Sequence, residues 1–365
     1  RGGAGGGGGG QPGAGGSGTC QSPTLTFAPR APSILLFTDR GGSSFDAPTT
    51  TGTLPTTGSF FNVRTAIENI ITGFQAKYRF GLGVYVGDHT SGSCQLGYVT
   101  APMALNNAAA IGAVYDSLGP LASKADTPAT AALAMAKAAL AADTGGGSKF
   151  LLFITGGATD FCDDGFADCP TDAVASQLQA MYAGTPNIET LVLGLPTTST
   201  ALTPGALATF ANAGAGQPAA LASSVGGTQS DIYDECHLDS QQWDTLFTAS
   251  GKTPPAAIGN YSATAGTAPL FMAATNSVSN IETQLQAALA AAKSCSFDLS
   301  AHSIYSNKVA EGTVIVGGVN VPQDGSNGWS MPTTTALILN GSACRSYWQP
   351  GATISINFPC DAILP

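Results

Sequence analysis

From Ser33 onward, short apolar runs alternate with stretches of helical spacing. ILLFT at Ile34–Thr38 and FLLFIT at Phe150–Thr155 are unbroken apolar runs. That is the pattern of strands buried on both faces. Phe80, Leu82, Val84 and Val86 alternate, which predicts a strand at Phe80–Val86 with Cys94–Val99 as its hairpin partner. ETLVLGL at Glu189–Leu195 predicts another strand. Between these runs, Phe61, Ala66, Ile67, Ile70, Ile71 and Phe74 recur at helical spacing, which predicts a helix over Phe60–Ala76. Further helices are expected at Asn107–Leu118, Ala129–Ala142, Thr171–Tyr182, Thr203–Ala213 and Val278–Lys293. Asp126, Thr127 and Pro128 read as the cap and first-turn proline of the third of these six. Strand–helix alternation of this kind implies an α/β fold, a doubly wound and mostly parallel sheet covered on both faces.

The rhythm fails in three places. Residues 1–19 are a glycine-rich tail, with 12 glycines among the first 18 residues. The segment from about 216 to 275, holding Cys236, Trp243, Pro254 and Pro255, reads as an irregular insertion. After Cys295 the helical spacing stops. Thr313–Val321, Thr334–Leu339 and Thr353–Phe358 are strand candidates there, separated by Gly, Asn and Pro turns. The expected organisation is a tail at 1–19, a Rossmann-like α/β domain at 20–297 and a small all-β C-terminal module at 298–365.

Composition narrows the function. Lys and Arg total 13 against 23 Asp and Glu, a net charge of −10. Charged residues are 10% of the chain, where an ordinary soluble domain has about 25%. Nucleic acid and anionic membrane are therefore excluded as partners. A chain that is 43% hydrophobic and low in charge is also unlike a disordered one. No apolar run approaches a membrane span; the richest, Ala131–Ala142, is interrupted by Lys137.

The eight cysteines are Cys20, Cys94, Cys162, Cys169, Cys236, Cys295, Cys344 and Cys360, and none forms a C-x-x-C pair. Their even number and wide spacing point to disulfides in an exported protein. Cys162 with Cys169 is the best local pair, and the other pairings stay open. The expected location is extracellular or at the cell surface, after export through a removed signal sequence. Arg1 is then a processed or truncated start.

Candidate chemistry gathers where an open parallel sheet binds ligands, at the carboxyl ends of its strands. Asp39 ends the first strand and is followed by Arg40, Gly41, Gly42 and Ser43. Thr127 opens a later helix, and Gly156 and Gly157 end the run Phe150–Thr155. Over about residues 20–297 these positions resemble a von Willebrand factor type A domain. The resemblance implies a metal-ion-dependent adhesion site. That site is built from a D-x-S-x-S loop, a Thr and an Asp, and it suits a hard cation such as Mg²⁺. Asp39, Ser43 and Thr127 match three of its positions. Gly41 replaces the first Ser, Gly156 stands where the last Asp would be, and Asp126 and Asp160 lack the family spacing. The resemblance thus implies a degenerate site with weak or absent metal binding. No cofactor is expected, and Mg²⁺ or Ca²⁺ is the ion such a site would take. The stretches SCSFDLS, GGVNVPQDGSNGW and LNGSACRSYWQPGATISINFPC resemble the Cys-bearing β module of secreted type A domain proteins from myxobacteria and related deltaproteobacteria.

Other chemistry is sparse. His89, His237 and His302 are the three histidines, and no H-E-x-x-H occurs. No Ser- or Cys-based nucleophile and base share a recognisable motif. Asp160, Asp163, Asp164 and Asp168 form an acidic loop without the spacing of an EF-hand. Trp329, Tyr347 and Trp348 are expected to pack the module, with a carbohydrate-binding face as the other reading. The expected function is a non-enzymatic structural subunit that self-assembles into a filament or surface polymer. Its contact residues are Gly2, Gly3, Gly5, Gly6, Gly7, Gly8, Gly9 and Gly10, because glycine permits close backbone approach and strand addition. The alternative is a cell-surface adhesin that binds a protein ligand through the degenerate site. The expected partners are further copies of the chain, or a surface protein or carbohydrate.

Overall fold

The computed structural model describes residues 28–41, 57–88, 95–118, 125–157, 159, 170–196, 203–220, 262, 264–299, 303–348 and 351–363. The glycine tail, Ser43, the three histidines, the acidic loop, most of the insertion and Cys20, Cys94, Cys162, Cys169 and Cys236 lie outside these residues.

A short strand β1 (Ala28–Pro29) leads into β2 (Ser33–Asp39). The α/β domain continues with α1 (Ser59–Phe74), β3 (Arg79–Asp88), β4 (Gln95–Ala104), α2 (Ala108–Ser117), β5 (Ala125–Asp126), α3 (Ala129–Ala142) and β6 (Lys149–Thr155). It closes with α4 (Pro170–Tyr182), β7 (Ile188–Gly194), α5 (Thr203–Gly214), β8 (Leu270–Met272) and α6 (Val278–Ala291). The sheet order is β4-β3-β2-β6-β7-β8, with β5 pairing β3 off this path. Only the β4 and β5 pairings are antiparallel. Counted along the chain without β5, this is the doubly wound order 3-2-1-4-5-6.

The apolar runs read as strands because both sheet faces are covered. Leu35, Phe37, Leu151, Phe153 and Val192 face a layer that includes Leu133 of α3, Leu178 of α4 and Phe210 of α5. Ile34, Leu36, Leu152, Ile154 and Leu193 face Ile67 of α1, Ile111 of α2 and Leu285 of α6. Phe37 stacks on Tyr85 with ring centroids 4.6 Å apart. Each large side chain fully buried in these layers contributes roughly 1.5–3 kcal/mol. On α1, Val63, Ala66, Ile67, Ile70 and Ile71 form the buried stripe. At the start of α6, Ser277 Oγ accepts from the Asn280 N–H at 3.4 Å as an N-cap.

Several elements differ from the sequence pattern. The N-cap of α3 is Pro128, whose side chain makes no capping bond, and the Thr127 carbonyl accepts the Ala129 N–H. Leu270–Met272, within the stretch read as irregular, is the outermost parallel strand of the sheet. Thr313–Val321 is two strands, β10 (Thr313–Val316) and β11 (Val319–Val321). Gly317 and Gly318 between them have φ of 57° and 83°. A two-residue hairpin turn of this hand requires positive φ at both positions, which glycine adopts without steric cost. The stretch after Cys295 also contains a helix, α7 (Gly341–Trp348), where only strands were expected.

The remaining C-terminal elements are β9 (Ser296–Asp298), β12 (Trp329–Thr333), β13 (Ala336–Leu339) and β14 (Ile354–Asn357). They form two small antiparallel sheets, β1-β9-β13-β12 and β11-β10-β14. The first sheet takes β1 from upstream of the α/β domain, so both flanks of that domain feed it. The boundary drawn at 297/298 falls within β9. Trp329 is buried in this core, edge-on to Phe358, and a buried ring has no face to offer a sugar.

Candidate functional site

The parallel sheet has two ends, and each holds polar groups. The carboxyl ends of β2 and β6 meet at the switch point of the strand order, where open α/β sheets bind ligands. Asp39 closes β2 there and is 3% exposed. Its Oδ1 accepts the Gly41 N–H at 3.1 Å, which tightens the turn out of the strand. The next residue, Arg40, is also buried, with its guanidinium 5.7 Å from the Phe60 ring centroid. Across the switch point, Thr155 Oγ1 accepts the Gly157 N–H at 3.1 Å.

The register brings Thr127 to the same rim. β2 stops where Asp39 pairs with Tyr85, and β5 pairs with β3 two residues further on, at Gly87 and Asp126. β4 already occupies the other side of Gly87, so β5 lies just beyond the end of β2. Thr127 follows Asp126 and is buried. Burial and the neighbouring Asp39 carboxylate push the Tyr85 hydroxyl well above the ordinary tyrosine range.

These residues do not fit the metal site that the resemblance implies. Gly41 and Gly156 bring no donor side chain. Arg40, the next residue, is buried with its guanidinium over the Phe60 ring and brings a cation, not a ligand, to this turn. Among the described residues no group of three or more His, Cys, Asp or Glu is arranged to hold a metal. A hard cation draws most of its affinity from carboxylates, and of the matched residues this rim offers it Asp39 and Thr127. Ser43 lies outside the described residues.

The amino ends of the strands are differently built. Asp143 follows α3 and its side chain is 2% exposed. It accepts from Ser33 at the start of β2, from Arg79 Nη2 at the start of β3 at 2.7 Å, and from Lys149 Nζ at the start of β6 at 3.0 Å. One carboxylate thus ties down three neighbouring strands. Burial alone would raise its pKa, but the bonds from Arg79, Ser33 and Lys149 outweigh that and hold it at about 2.

The C-terminal module docks at this same end. The Cys295 N–H donates to Ser148 Oγ at 2.8 Å, and a disulfide joins Cys295 to Cys344 on α7. Trp348 lies 5.6 Å from the Phe150 ring, and its indole N–H donates to the Lys293 carbonyl at 2.7 Å. Arg345 Nη1 donates to the Tyr182 hydroxyl at 2.7 Å. A cleft of about 500 Å³ remains between the two bodies, with Glu189, Tyr182, Ser296, Gly325 and Trp348 among its walls. The sequence pattern assigns Glu189 only the start of a strand. The signal was there in ETLVLGL: an acid opens a run that is otherwise apolar.

No family model matches the chain, and no curated protein matches it. Among solved structures, the pilus adhesin SpaC from Lactobacillus rhamnosus GG aligns at 14% identity over 90% of this chain and 39% of that one, with a TM-score of 0.38. The open conformation of the same adhesin gives 14% identity over 90% and 38%, with a TM-score of 0.36. The vWF domain of the type V pili tip protein Mfa5 from Porphyromonas gingivalis gives 13% identity over 36% and 40%, with a TM-score of 0.25. The chain spans at most about two-fifths of each of these structures. Likeness this distant carries no argument, and the fold rests on the strand order and register above. No helix among the described residues is long and apolar enough to cross a membrane.

Proposed function

We propose that this chain is a non-enzymatic structural subunit of an extracellular or cell-surface polymer, built on a type A-like domain and joined through its glycine-rich tail. The observation that carries the reading is the pair of outer strands on the three-stranded sheet, β11 and β14. Val319 on β11 is 68% exposed. Among the described residues no further strand pairs with either, and such an edge is a template for another extended chain. The tail of one copy, with Gly2, Gly3 and Gly5–Gly10, would add along such an edge of the next. The tail leads towards β1, itself an outer strand of the other small sheet. Tail and acceptor edge are different surfaces, so the contact is heterologous and propagates instead of closing. The low charge of the chain suits close stacking of copies. The test is deletion of residues 1–19. The expected result is a folded monomer that no longer forms polymers by electron microscopy; polymers of unchanged length would overturn the proposal.

The second reading is an adhesin that grips a protein ligand at the carboxyl rim. Its support is that Asp39 and Thr127 share that rim. Calorimetry with Mg²⁺ or Mn²⁺ separates the two readings, because only the adhesin requires heat of binding that is lost in Asp39→Asn.

A further inference from the structure

We infer that the cleft between the α/β domain and the C-terminal module is a binding site for a small organic cation, a guanidinium or a primary ammonium, with Glu189 as its counter-charge.

Glu189 is 5% exposed and lines the cleft. Its Oε2 is buried without a hydrogen-bond partner. Proteins rarely leave such an acceptor unpaired, so each case asks for an explanation. The cations nearest the cleft are already engaged. Lys149 Nζ is held by the Asp143 carboxylate at 3.0 Å and the Asp143 carbonyl at 2.7 Å. Arg345 donates to the Tyr182 hydroxyl, and no ion pair to Glu189 exists among the described residues. Two aromatic side chains, Tyr182 and Trp348, share the cleft wall with the acid. Both are anchored by the bonds to Arg345 and Lys293 described above. An acid beside fixed aromatic faces is the chemistry that selects organic cations, through charge and cation–π attraction. A single carboxylate is a poor set for a divalent metal. An anion would be repelled by the ionised Glu189 carboxylate.

Burial explains the state of the acid. Burial pushes the Glu189 carboxyl well above the usual range, and the positive charge of Arg345 offsets this only in part. The charged or titratable groups facing it are Arg345 of α7, Tyr182 of α4 and Lys149 of β6. A bound cation favours the ionised carboxylate, so binding expels a proton. Affinity therefore rises with pH until the pKa of the empty site is passed.

The experiment titrates ethylguanidinium and ethylammonium into the full chain at several pH values, followed by NMR shifts of cleft residues. We expect saturable binding that tightens about tenfold per pH unit below the raised pKa. Glu189→Gln should weaken it at least about tenfold, by loss of the charged partner, and remove the pH slope. Absence of saturable binding to the native chain would falsify the site. So would unchanged affinity in Glu189→Gln, or competition by acetate. Gly325→Trp provides a second variant should Glu189→Gln not fold. A Cβ at Gly325, a residue of the cleft wall, meets nothing within 4 Å, so a side chain can start there without a clash. It should reduce binding, and native affinity in that variant would count against the site. Arg1 is the one basic residue among residues 1–27 and carries the same chemistry. Arg1→Gln in the full chain separates the sources. Unchanged probe affinity assigns the cleft to a free cation, and tighter binding assigns it to the chain's own arginine; both outcomes support a cation site.

Discussion

At the carboxyl ends of β2 and β6 the sheet presents glycines, hydroxyls, Asp39 and a buried Arg40, whereas at the amino ends Asp143 bonds Ser33, Arg79 and Lys149 and the C-terminal module is held by Trp348 against Phe150 and Arg345 on Tyr182. The same strands connect both ends, so the difference reflects what each end must do. In a chain that is 10% charged, the three-strand ion cluster sits where the module is held. The end at which such folds bind ligands is left with a reduced donor set. That division suits a body whose two parts move as one.

The largest expected effect comes from cutting the disulfide that fastens α7, the helix carrying Arg345 and Trp348. Cys295 and Cys344 lie 49 residues apart in sequence, and a loop of that length is worth about 2–4 kcal/mol. Replacing both with Ser should lower the melting temperature by calorimetry and uncouple melting of the module from that of the α/β domain. A single unchanged transition would show that the Trp348 and Ser148 contacts suffice, and the amino end would lose its special status.

Next in size is Asp143→Asn, which leaves Arg79 and Lys149 facing an uncharged amide. Removing one partner of a buried pair costs about 3–5 kcal/mol. Arg79 and Lys149 are 24% and 10% exposed, so solvent screens them and the expected loss is about 2–3 kcal/mol. The native chain carries the matching pH signature. The folded pKa of Asp143 is depressed to about 2, so its stabilisation is present above the unfolded value near 3.9. It is lost as pH falls towards 2, a change of about 2 kcal/mol. Denaturant titrations from pH 5 to pH 2 should show this slope in the native chain and a shallower one in the variant.

How much of this was legible beforehand follows from where the information sits. ILLFT and FLLFIT declared their strands because burial on both faces leaves no polar alternation to confuse. Asp39 and Thr127 could be placed on one rim because a resemblance linked them. The ion cluster could not be foreseen: Ser33, Arg79, Asp143 and Lys149 meet only after three strands are laid side by side. Helix α7 was missed for a related reason. Its eight residues GSACRSYW carry only one fully buried side chain, Ala343. Cys344 in the disulfide and Trp348 against Phe150 hold it in place. β8 has three residues and owes its strand geometry to pairing with β7.

Glu189→Gln has a smaller effect and the opposite pH sense. A carboxyl whose folded pKa is raised contributes stability that is fully present below its unfolded value near 4.3. That contribution is lost as pH rises through the folded pKa. The native chain should therefore lose stability between pH 4 and the raised value, and the variant should not. Melting curves of the two should converge at low pH and separate at high pH, with the variant the more stable. Parallel curves would mean that Arg345 turns to pair with Glu189 once the acid ionises.

Asp39→Asn should be the mildest change, and it bears directly on the carboxyl rim. The amide keeps an acceptor for the Gly41 N–H, so this bond of the turn out of β2 can persist. If this rim holds no functional cation, millimolar Mg²⁺ should leave the melting temperature of the native chain and of the variant unmoved. A ligand that binds the folded state alone must raise that temperature by mass action. A Mg²⁺-dependent rise in the native chain that disappears in Asp39→Asn would therefore restore the carboxyl end as a working metal site. The contrast between the ends would then be one of two kinds of function, an adhesive rim above a mechanical base, and the adhesin reading would replace the polymer subunit.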